Sequence, residues 1–461
     1  MKRAGALLAV AALTGCTSLD PAFQRPAGPV PLSWPTGDPY LAEAPALPGF
    51  THRDVFRDPR LQVLIAQALL NNRDLRIAAA NIAAARAQVR IARAAQLPQV
   101  GSNAGVDANP RRDASGGTSG IQFSPSINIL PSFEIDLFGR LASLTRAQQE
   151  RLFATGAAAR ATRVALIGDI ADTWLAHGAD SSLLAIAEDT VRSAERSRAL
   201  TQARLRGGVA PRTDLLQAQQ VLETARADLA EQRALRAQDA NLLQLLVGAP
   251  VEPSLLPTSL GQAAGTIAAL PAGLDSRILL RRPDVIQSEY ELRAANAEIG
   301  AARAALFPTI SLTGLLGLAS DTLTGLFSSG AFNWSAGIGG NYSIFSGGGR
   351  RAAVRLREAE QQAAIASYER AIQTGFREVA DALADRSTLI DRVAATRRNA
   401  EAASETLRLV TARYREGIDP YLTTLDAQRT AYAAQRALVQ VQFIQARNAV
   451  TVYRALGGDG F

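Results

Sequence analysis

Few side chains in this sequence have the type and spacing that catalysis or metal binding requires. The 461 residues include one cysteine, Cys16, and two histidines, His52 and His177, which stand far apart with no second ligand at metal spacing. The sequence contains no nucleophile elbow, no phosphate-binding glycine loop and no HExxH pair. We therefore expect no enzyme activity, no cofactor and no metal site.

Cys16 has the clearest chemistry, because it follows a segment built like a secretory signal. Residues 1–15 join a basic start to an apolar run too short to span a bilayer, and they end in Leu-Thr-Gly before the cysteine, as in the bacterial lipobox. In a lipobox the cysteine becomes the acylated first residue, palmitate being one of its chains, and several acyl chains anchor a protein stably. We predict a lipoprotein in which Cys16 forms no disulfide; an ordinary signal peptide ending near a cysteine is the alternative.

The chain repeats itself almost completely. A shift of 210 residues superposes Asp74 on Asp284, and a shift of 209 superposes RLRGGVAPRTDLLQAQ (204–219) on RYREGIDPYLTTLDAQ (413–428). We predict a duplicated fold, with repeat 1 at 61–250, a linker at 251–282 and repeat 2 at 283–461. The proline-rich residues 16–60 form a lipidated extended arm in this scheme.

Long helices dominate both repeats. Segments rich in Ala, Arg, Glu and Leu and almost free of internal proline predict helices at about 60–96, 138–206, 212–247, 283–306, 347–416 and 420–456. A run of ~70 residues makes a rod of roughly 100 Å, which suits helices packed in coiled-coil fashion. In both copies a Gly and a following Pro predict a turn between two long helices, at ~207–211 and ~416–420. No run after the signal is long and apolar enough for a transmembrane helix.

Strands fill the segments between the helices. Apolar and polar residues alternate over ~121–137, and a similar alternation over ~331–345 includes Trp334, Tyr342 and Ile344. Weaker strands are expected at ~98–109 and ~308–320, so each repeat contributes one hairpin. Two ordinary hairpins on a soluble core are the simpler interpretation. Strands this long with one apolar and one polar face are instead typical of an outer membrane barrel, and four strands cannot close one. The chain must then associate at least as a dimer.

Several stretches resemble the outer membrane factor family, the TolC-like and OprM-like (NodT-type) channel proteins of efflux pumps. They are FEIDLFGR (133–140), LLRRPDVIQSEYELRAANAEIGAARAALFPTISL (279–312), RYREGIDPYLTTLDAQR (413–429) and VYRALGG (452–458). The resemblance implies a mainly α TolC-like fold with four strands per protomer, a homotrimer with a twelve-stranded membrane β-barrel, and a long α-helical barrel in the periplasm. It also implies an outer membrane location, with a periplasmic adaptor protein and an RND-type inner-membrane transporter as partners.

The same resemblance implies a periplasmic gate at the turns between the long helices. By position, Asp426 and Leu422 match ring-forming residues of the second hairpin, Tyr414 matches an aromatic residue that ties neighbouring helices, and Asp214 matches its acidic partner. The chain departs from TolC at Thr423, where TolC has a second Asp, and at Asp419, where TolC has an Arg. A ring of Asp426 carboxylates would attract cations. Asp214 could instead serve only as a helix-start acid, and Leu422 could serve only in packing.

Charge and composition weigh against nucleic-acid binding. Removing Lys2 and Arg3 with the signal lowers the formal net charge from +7 to +5, and the arginines are spread along helices without interleaved aromatic residues. The implied function is the exit duct of a tripartite efflux system that passes small molecules. A type I protein-secretion duct and a coiled-coil lipoprotein without a pore are the alternatives.

Overall fold

A computed structural model describes residues 18–31, 33–35, 51–112, 118–268 and 276–459. The predicted signal, Cys16 and much of the predicted arm lie outside these residues. The chain divides into two compact units, and each draws segments from both repeats. The first comprises Met1–Ala27, Ala80–Gly156 and Gln287–Glu369, and the second comprises Gly28–Ala79, Ala157–Ile286 and Arg370–Phe461.

Helices make up most of the described chain. Their bounds are α1 His52–Val55, α2 Pro59–Asn71, α3 Arg73–Ala94, α4 Arg140–Arg206, α5 Arg212–Val247, α6 Leu260–Ala264, α7 Pro283–Ala304, α8 Gly349–Arg415 and α9 Tyr421–Ala455. Short 3-10 turns lie at Pro253–Leu255, Ser276–Arg281 and Thr324–Phe327. The two longest helices, α4 and α8, both have 67 residues. Within the described ranges, no helix combines the length and the apolar character needed to cross a membrane.

The first unit contains a four-stranded antiparallel sheet in the order β1-β2-β3-β4. The strands are β1 Gln99–Arg112, β2 Thr118–Ile135, β3 Thr309–Ala319 and β4 Phe332–Asn341. The central pair, β2 and β3, joins the hairpin of the first repeat to that of the second, from Ile135 opposite Ile310 to Ser126 opposite Ala319. The two repeats therefore share one continuous sheet.

The register sorts the side chains of the sheet onto two faces. Ile129 lies opposite Leu316, which lies opposite Trp334. Because side chains alternate along each strand, these partners belong to one apolar face. Its larger members are Ile121, Phe123, Ile127, Ile129, Phe133, Leu312, Leu316, Leu318, Phe332, Trp334 and Ile338. The opposite face carries mainly Ser, Thr, Asn and Gly. Trp334 is 69% exposed and Ile338 is 71% exposed in the single chain, so the apolar face is not covered by this protomer.

Two elements differ from the sequence expectation. Strand β4 ends at Asn341, before Tyr342 and Ile344, because Asn341 already pairs with Thr309, the first residue of β3, and no partner strand continues beyond it. The helix expected over about 60–96 is two helices. Asn72 ends the first and begins the second, because its side-chain oxygen accepts a hydrogen bond from the Asp74 backbone N–H at 2.8 Å.

The core of the second unit lies around Trp174 of α4. The indole is fully buried, and its Nε1 donates to the Leu255 carbonyl oxygen at 2.9 Å, which satisfies its polar atom. Fully buried neighbours in this cluster include Phe56, Leu61, Leu64, Ile65, Ile167, Ile170, Leu175 and Tyr453. The packing between α8 and α9 uses small side chains. A buried cluster of four alanines lets the two helix backbones approach closely: Ala400, Ala403, Ala431 and Ala434.

A carboxyl pair joins α4 to α5 in the second unit. Burial raises the pKa of Asp239, and the charge and hydrogen bond of Asp180 raise it further, to about 7. Burial also raises the pKa of Asp180. Both carboxyl groups are therefore harder to ionise than isolated aspartates.

The variant Asp239→Asn is expected to flatten the pH dependence of thermal stability. A carboxyl whose folded pKa is raised contributes its full stability below the unfolded value of about 3.9 and loses it as the pH rises through the folded pKa. The amide stays neutral at both pH values, so the melting temperature of the variant should exceed that of wild type by more at pH 8 than at pH 5. Melting followed by circular dichroism at both pH values tests this, with exposed Asp189→Asn as control. An equal difference from wild type at pH 5 and pH 8 would contradict the raised pKa of Asp239.

Candidate functional site

The turn between α4 and α5 has a defined hydrogen-bonding pattern. Gly208 adopts φ +71°, a left-handed conformation that favours glycine. Its N–H donates to the Leu205 carbonyl at 3.0 Å, and the Val209 N–H donates to the Arg204 carbonyl at 3.0 Å. These two bonds form a Schellman motif, which satisfies carbonyl groups at the end of α4 and turns the chain towards α5.

The turn between α8 and α9 repeats this geometry. Gly417 adopts φ +79°, its N–H donates to the Tyr414 carbonyl at 3.1 Å, and the Ile418 N–H donates to the Arg413 carbonyl at 2.9 Å. Each hydrogen bond in the second turn therefore has an equivalent in the first turn, between residues numbered 209 lower. Helices α5 and α9 both begin directly after a proline, Pro211 and Pro420. The backbone at the two turns is duplicated, and differences between them come from side chains.

Tyr414 lies buried among residues of three helices. Its ring is 3% exposed and packs against the ring of Tyr421, with centroids 5.6 Å apart. Its hydroxyl lies 3.3 Å from the Thr201 hydroxyl of α4. Arg204 of α4 donates from Nη1 to the Tyr414 carbonyl at 3.1 Å, and its guanidinium carbon lies 4.9 Å from the Tyr414 ring centroid. Tyr414 therefore contacts α4 through its ring, its hydroxyl and its backbone.

Asp214 occupies the first turn of α5 and is partly buried. The hydroxyl of Tyr414 has Thr201 as its hydrogen-bond partner, so the expected Tyr414–Asp214 pairing differs from the observed contact. The Asp214 charge instead acts on Tyr421: burial first, then Tyr414 and Asp214, raise the pKa of Tyr421 to about 12. Asp214 thus lies near the buried tyrosine pair, in a position where its charge also complements the helix N-terminus.

Leu422 and Asp426 lie on the exposed side of α9. Tyr421 and Leu425, the residue directly before each of them, are buried, whereas Leu422 is 56% exposed and Asp426 is also exposed. A spacing of four residues places Leu422 and Asp426 on the same helix face, one turn apart. No hydrogen bond or ion pair holds the Asp426 carboxylate within the part of the chain that the structure describes.

Arg413 and Asp419 form an ion pair within the second turn, which the sequence reasoning missed. Nε and Nη2 of Arg413 donate to the two carboxylate oxygens of Asp419 at 2.7 and 3.0 Å, a bidentate arrangement. These bonds lower the pKa of Asp419 and raise the pKa of Arg413. The repeat spacing held the signal for this difference, because it aligns Arg413 with Arg204 and Asp419 with Ala210.

Metal-ligand chemistry has no counterpart in this region. Across the described ranges, no group of three or more His, Cys, Asp or Glu side chains is placed to hold a metal ion. The predicted site residues Tyr414, Leu422, Asp426 and Asp214 all lie in the second unit, beside the two duplicated turns. What they can offer chemically is a carboxylate, an apolar side chain and a buried helix contact.

Comparison with known proteins identifies the family. The family model for outer membrane efflux proteins matches residues 64–249 and 274–458, two stretches that begin 210 and end 209 residues apart, as the sequence repeat does. The chain belongs to the outer membrane efflux protein family. The solvent efflux pump outer membrane protein SrpC of Pseudomonas putida is 39% identical over 98% of this chain and 97% of its own length. Outer membrane protein OprJ of Pseudomonas aeruginosa is 39% identical over 98% of this chain and 95% of its own.

A solved channel structure supports the assignment of this chain to the outer membrane efflux protein family. The open state of the MtrE outer membrane channel of Neisseria gonorrhoeae is 33% identical, with a TM-score of 0.81 over 96% of this chain and 98% of that one. The predicted TolC-like fold, mainly α with a four-stranded antiparallel sheet per chain, is confirmed. This efflux protein is an exit duct of the cell outer membrane with a periplasmic helical part, in a family of transport proteins.

Proposed function

We propose that three copies of this efflux protein form the exit duct of a tripartite pump. A periplasmic adaptor and an RND-type inner-membrane transporter would complete the pump, and the duct itself would catalyse no reaction. The observation that carries the oligomer is the sheet: edge strands β1 and β4 have no outer partner among the described residues, and the apolar face is exposed. The number three comes from the family resemblance. A membrane sheet cannot leave its edges open. Three sheets of four strands would close a twelve-stranded barrel, within the natural range.

Asp426 and Leu422 are proposed to line the constriction of the closed duct. Both side chains are exposed in the single protomer, and the Asp426 carboxylate has no partner among the described residues. Around a threefold axis, each would form a ring of three. The carboxylate ring would concentrate negative potential and favour cations, and the leucine ring would exclude water when narrow.

Tyr414 and Asp214 are proposed to hold the gate residues in position from sites that do not line the pore. Tyr414 joins the second hairpin to α4, and Asp214 places a charge near the buried Tyr421. Neither side chain needs to reach the pore for this role. A helix-start role for Asp214 is compatible with this proposal, because one carboxylate can both complement the N-terminus of α5 and place a charge near Tyr421.

Acylation of Cys16 is proposed to anchor the protein in the outer membrane. Ser18, the described residue nearest to Cys16, accepts a hydrogen bond from Arg146 Nη2 at 2.6 Å, and Asp20 accepts one from Arg146 Nε at 2.8 Å. These contacts lie in the unit that contains the sheet. They would hold the anchor close to the membrane strands. Palmitate labelling of the wild type, and its loss in Cys16→Ser, tests the proposal; equal labelling of both proteins would refute it.

Small molecules are the proposed cargo. SrpC is named for solvent efflux, and the chain shares 39% identity with it over nearly its full length. Deletion of the gene should increase susceptibility to solvents, dyes or antibiotics, and a plasmid copy should restore resistance. Loss of a secreted protein without any change in susceptibility would instead favour the type I secretion duct.

Conductance of the purified protein tests the exit duct directly. Heat-resistant trimers on gels and stepwise ion conductance in planar bilayers are the expected results. Monomers that give no conductance would refute the duct and would favour a coiled-coil spacer without a pore. Material purified in the same way from cells that lack the gene is the control for conductance from contaminants.

A further inference from the structure

A cavity of about 480 Å³ lies between α8 and α9 in the second unit, and α6 forms its third side. Leu260 and Ala264 of α6, Ile390 of α8 and Val452 of α9 give it apolar walls. Cavities of this order hold small organic ligands. None of the proposed gate residues lines it. The proposed duct therefore leaves this cavity without a role.

The charged side chains that line the cavity are both arginines, Arg386 and Arg397 of α8. They are three helical turns apart, so they lie on the same face of α8, separated by about 16 Å along its axis. Among the described residues that line the cavity there is no Asp or Glu. Burial lowers the pKa of the Arg386 guanidinium, because a charged group loses favourable contact with water there. An anion bound in the cavity would offset that cost.

Amide side chains of α9 add hydrogen-bond donors to the lining. Gln442, Gln445 and Asn448 follow one another at intervals of three residues, and all three line the cavity. Asn448 is 7% exposed, and its Nδ2 donates to the Ala382 carbonyl of α8 at 2.9 Å, which fixes the side chain. Carboxamide nitrogens donate to acid oxygens as guanidinium groups do, without adding charge.

The first repeat has a carboxyl group at the position of one of these amides. A shift of 209 residues superposes Asn448 on Asp239, whose carboxyl is hydrogen-bonded to Asp180. In the second repeat the amide takes the place of that carboxyl, so a group that would repel an anion is absent from the cavity. The two copies thus differ in charge at one position of the same helix pair.

We propose that this cavity binds an amphipathic organic anion, a carboxylate or sulfonate joined to an apolar ring or chain. The guanidinium groups of Arg386 and Arg397 hold the acid group, and the amide nitrogens donate to its remaining oxygens. The apolar walls cover the ring or chain. An inorganic anion lacks the apolar part, and an uncharged ligand lacks the partner of the arginines, so neither matches the whole lining.

Three probes that differ in one property each test the class of ligand. Isothermal titration calorimetry of the purified oligomer in detergent, with the heat of detergent alone subtracted, should give a saturable signal with 2-naphthoate. The uncharged 2-naphthamide should bind about tenfold more weakly, because it makes no charged hydrogen bond to the arginines. Inorganic phosphate should give no saturable signal. Equal affinity for 2-naphthoate and 2-naphthamide would overturn anion recognition, and phosphate binding as tight as that of 2-naphthoate would overturn the amphipathic class.

Three variants test the place of binding. Arg386→Gln should weaken the binding of 2-naphthoate about tenfold, since a charged hydrogen bond is lost. Gln445→Glu adds a carboxylate at an exposed position of the lining and should weaken binding by a similar factor, without the risk to folding of a change at a partly buried residue. Arg392→Gln is the matched control, because Arg392 is an exposed arginine of the same helix that does not line the cavity.

The control variant should bind 2-naphthoate as wild type does. Unchanged binding in Gln445→Glu, or an equal loss in Arg392→Gln, would place the ligand elsewhere and overturn the site. Binding by dissociated monomers but not by the oligomer would also overturn it, because a second copy of the chain would then cover the cavity. These measurements use no membrane and no conductance, so failure of the proposed duct would leave their outcome unchanged.

Discussion

In the Leu312→Arg variant, the outer membrane is expected to contain almost none of the oligomer. Leu312 lies on the apolar face of the sheet, opposite Phe133 on one side and Ile338 on the other, and is 47% exposed in the single chain. An arginine facing lipid costs about 2–4 kcal/mol at the middle of the bilayer and less towards its surfaces, and a trimer would carry three of them. Immunoblots of unboiled outer membrane fractions measure the loss.

The neighbouring residue supplies a matched control. Thr313 lies on the opposite face, where its partners are Ser132 and Gly337, and in a closed barrel this face meets water. Thr313→Arg should therefore insert at a level close to wild type. Similar loss in both variants would point to a general folding defect, and normal insertion of Leu312→Arg would contradict the membrane assignment of the apolar face.

Replacing Asp426 with alanine should make the channel leakier and less selective for cations. Removal of three carboxylates from a narrow ring lowers the negative potential there, and a change of about 1 kcal/mol per monovalent ion reduces the cation preference about fivefold. The effect should be largest at low ionic strength, where screening is weak. Reversal potentials in a salt gradient measure the selectivity, and current at fixed voltage measures the leak.

Two further variants separate charge from shape at this position. Asp426→Asn keeps the size of the side chain and should lose selectivity with a smaller leak than Asp426→Ala. Glu416→Gln removes an exposed carboxylate from the adjacent turn and should leave the reversal potential unchanged. A current–voltage curve of Asp426→Ala that superposes on wild type would remove Asp426 from the constriction.

The sequence predicted strands well where a neighbour strand exists, and less well at their ends. Alternation of apolar and polar residues continues through Tyr342 and Ile344, but β4 ends at Asn341 because its partner β3 begins at Thr309. Strand length depends on the partner, which a single segment does not encode. The division of one expected helix at Asn72 has a similar origin, since the Asn72 amide also donates to the Leu246 carbonyl, 174 residues away.

Some features of the candidate site could likewise be predicted from the sequence, and others depend on contacts that form only in the fold. Exposure of Asp426 and Leu422 follows from helical periodicity, which a sequence shows directly. The hydrogen-bond partners of Tyr414 do not follow from periodicity, because Thr201 and Arg204 belong to the other repeat and reach Tyr414 only in the folded hairpins. Comparison of the two repeats could have revealed Arg204, since Ala210 stands where its counterpart Arg413 has Asp419.

The equal lengths of α4 and α8 restrict how this protein can acquire insertions. Both helices have 67 residues and end in the same turn. One inserted residue would advance the chain beyond it by about 1.5 Å and rotate it by about 100°, which would turn the proposed gate residues away from the proposed channel axis. Insertion of a whole heptad, about 10 Å long, into both α4 and α8 would keep the two helices equal in length and keep the same side chains on the same helix face. Relatives with longer or shorter tunnels are therefore expected to differ by paired multiples of seven residues, with the second copy altered together with the first.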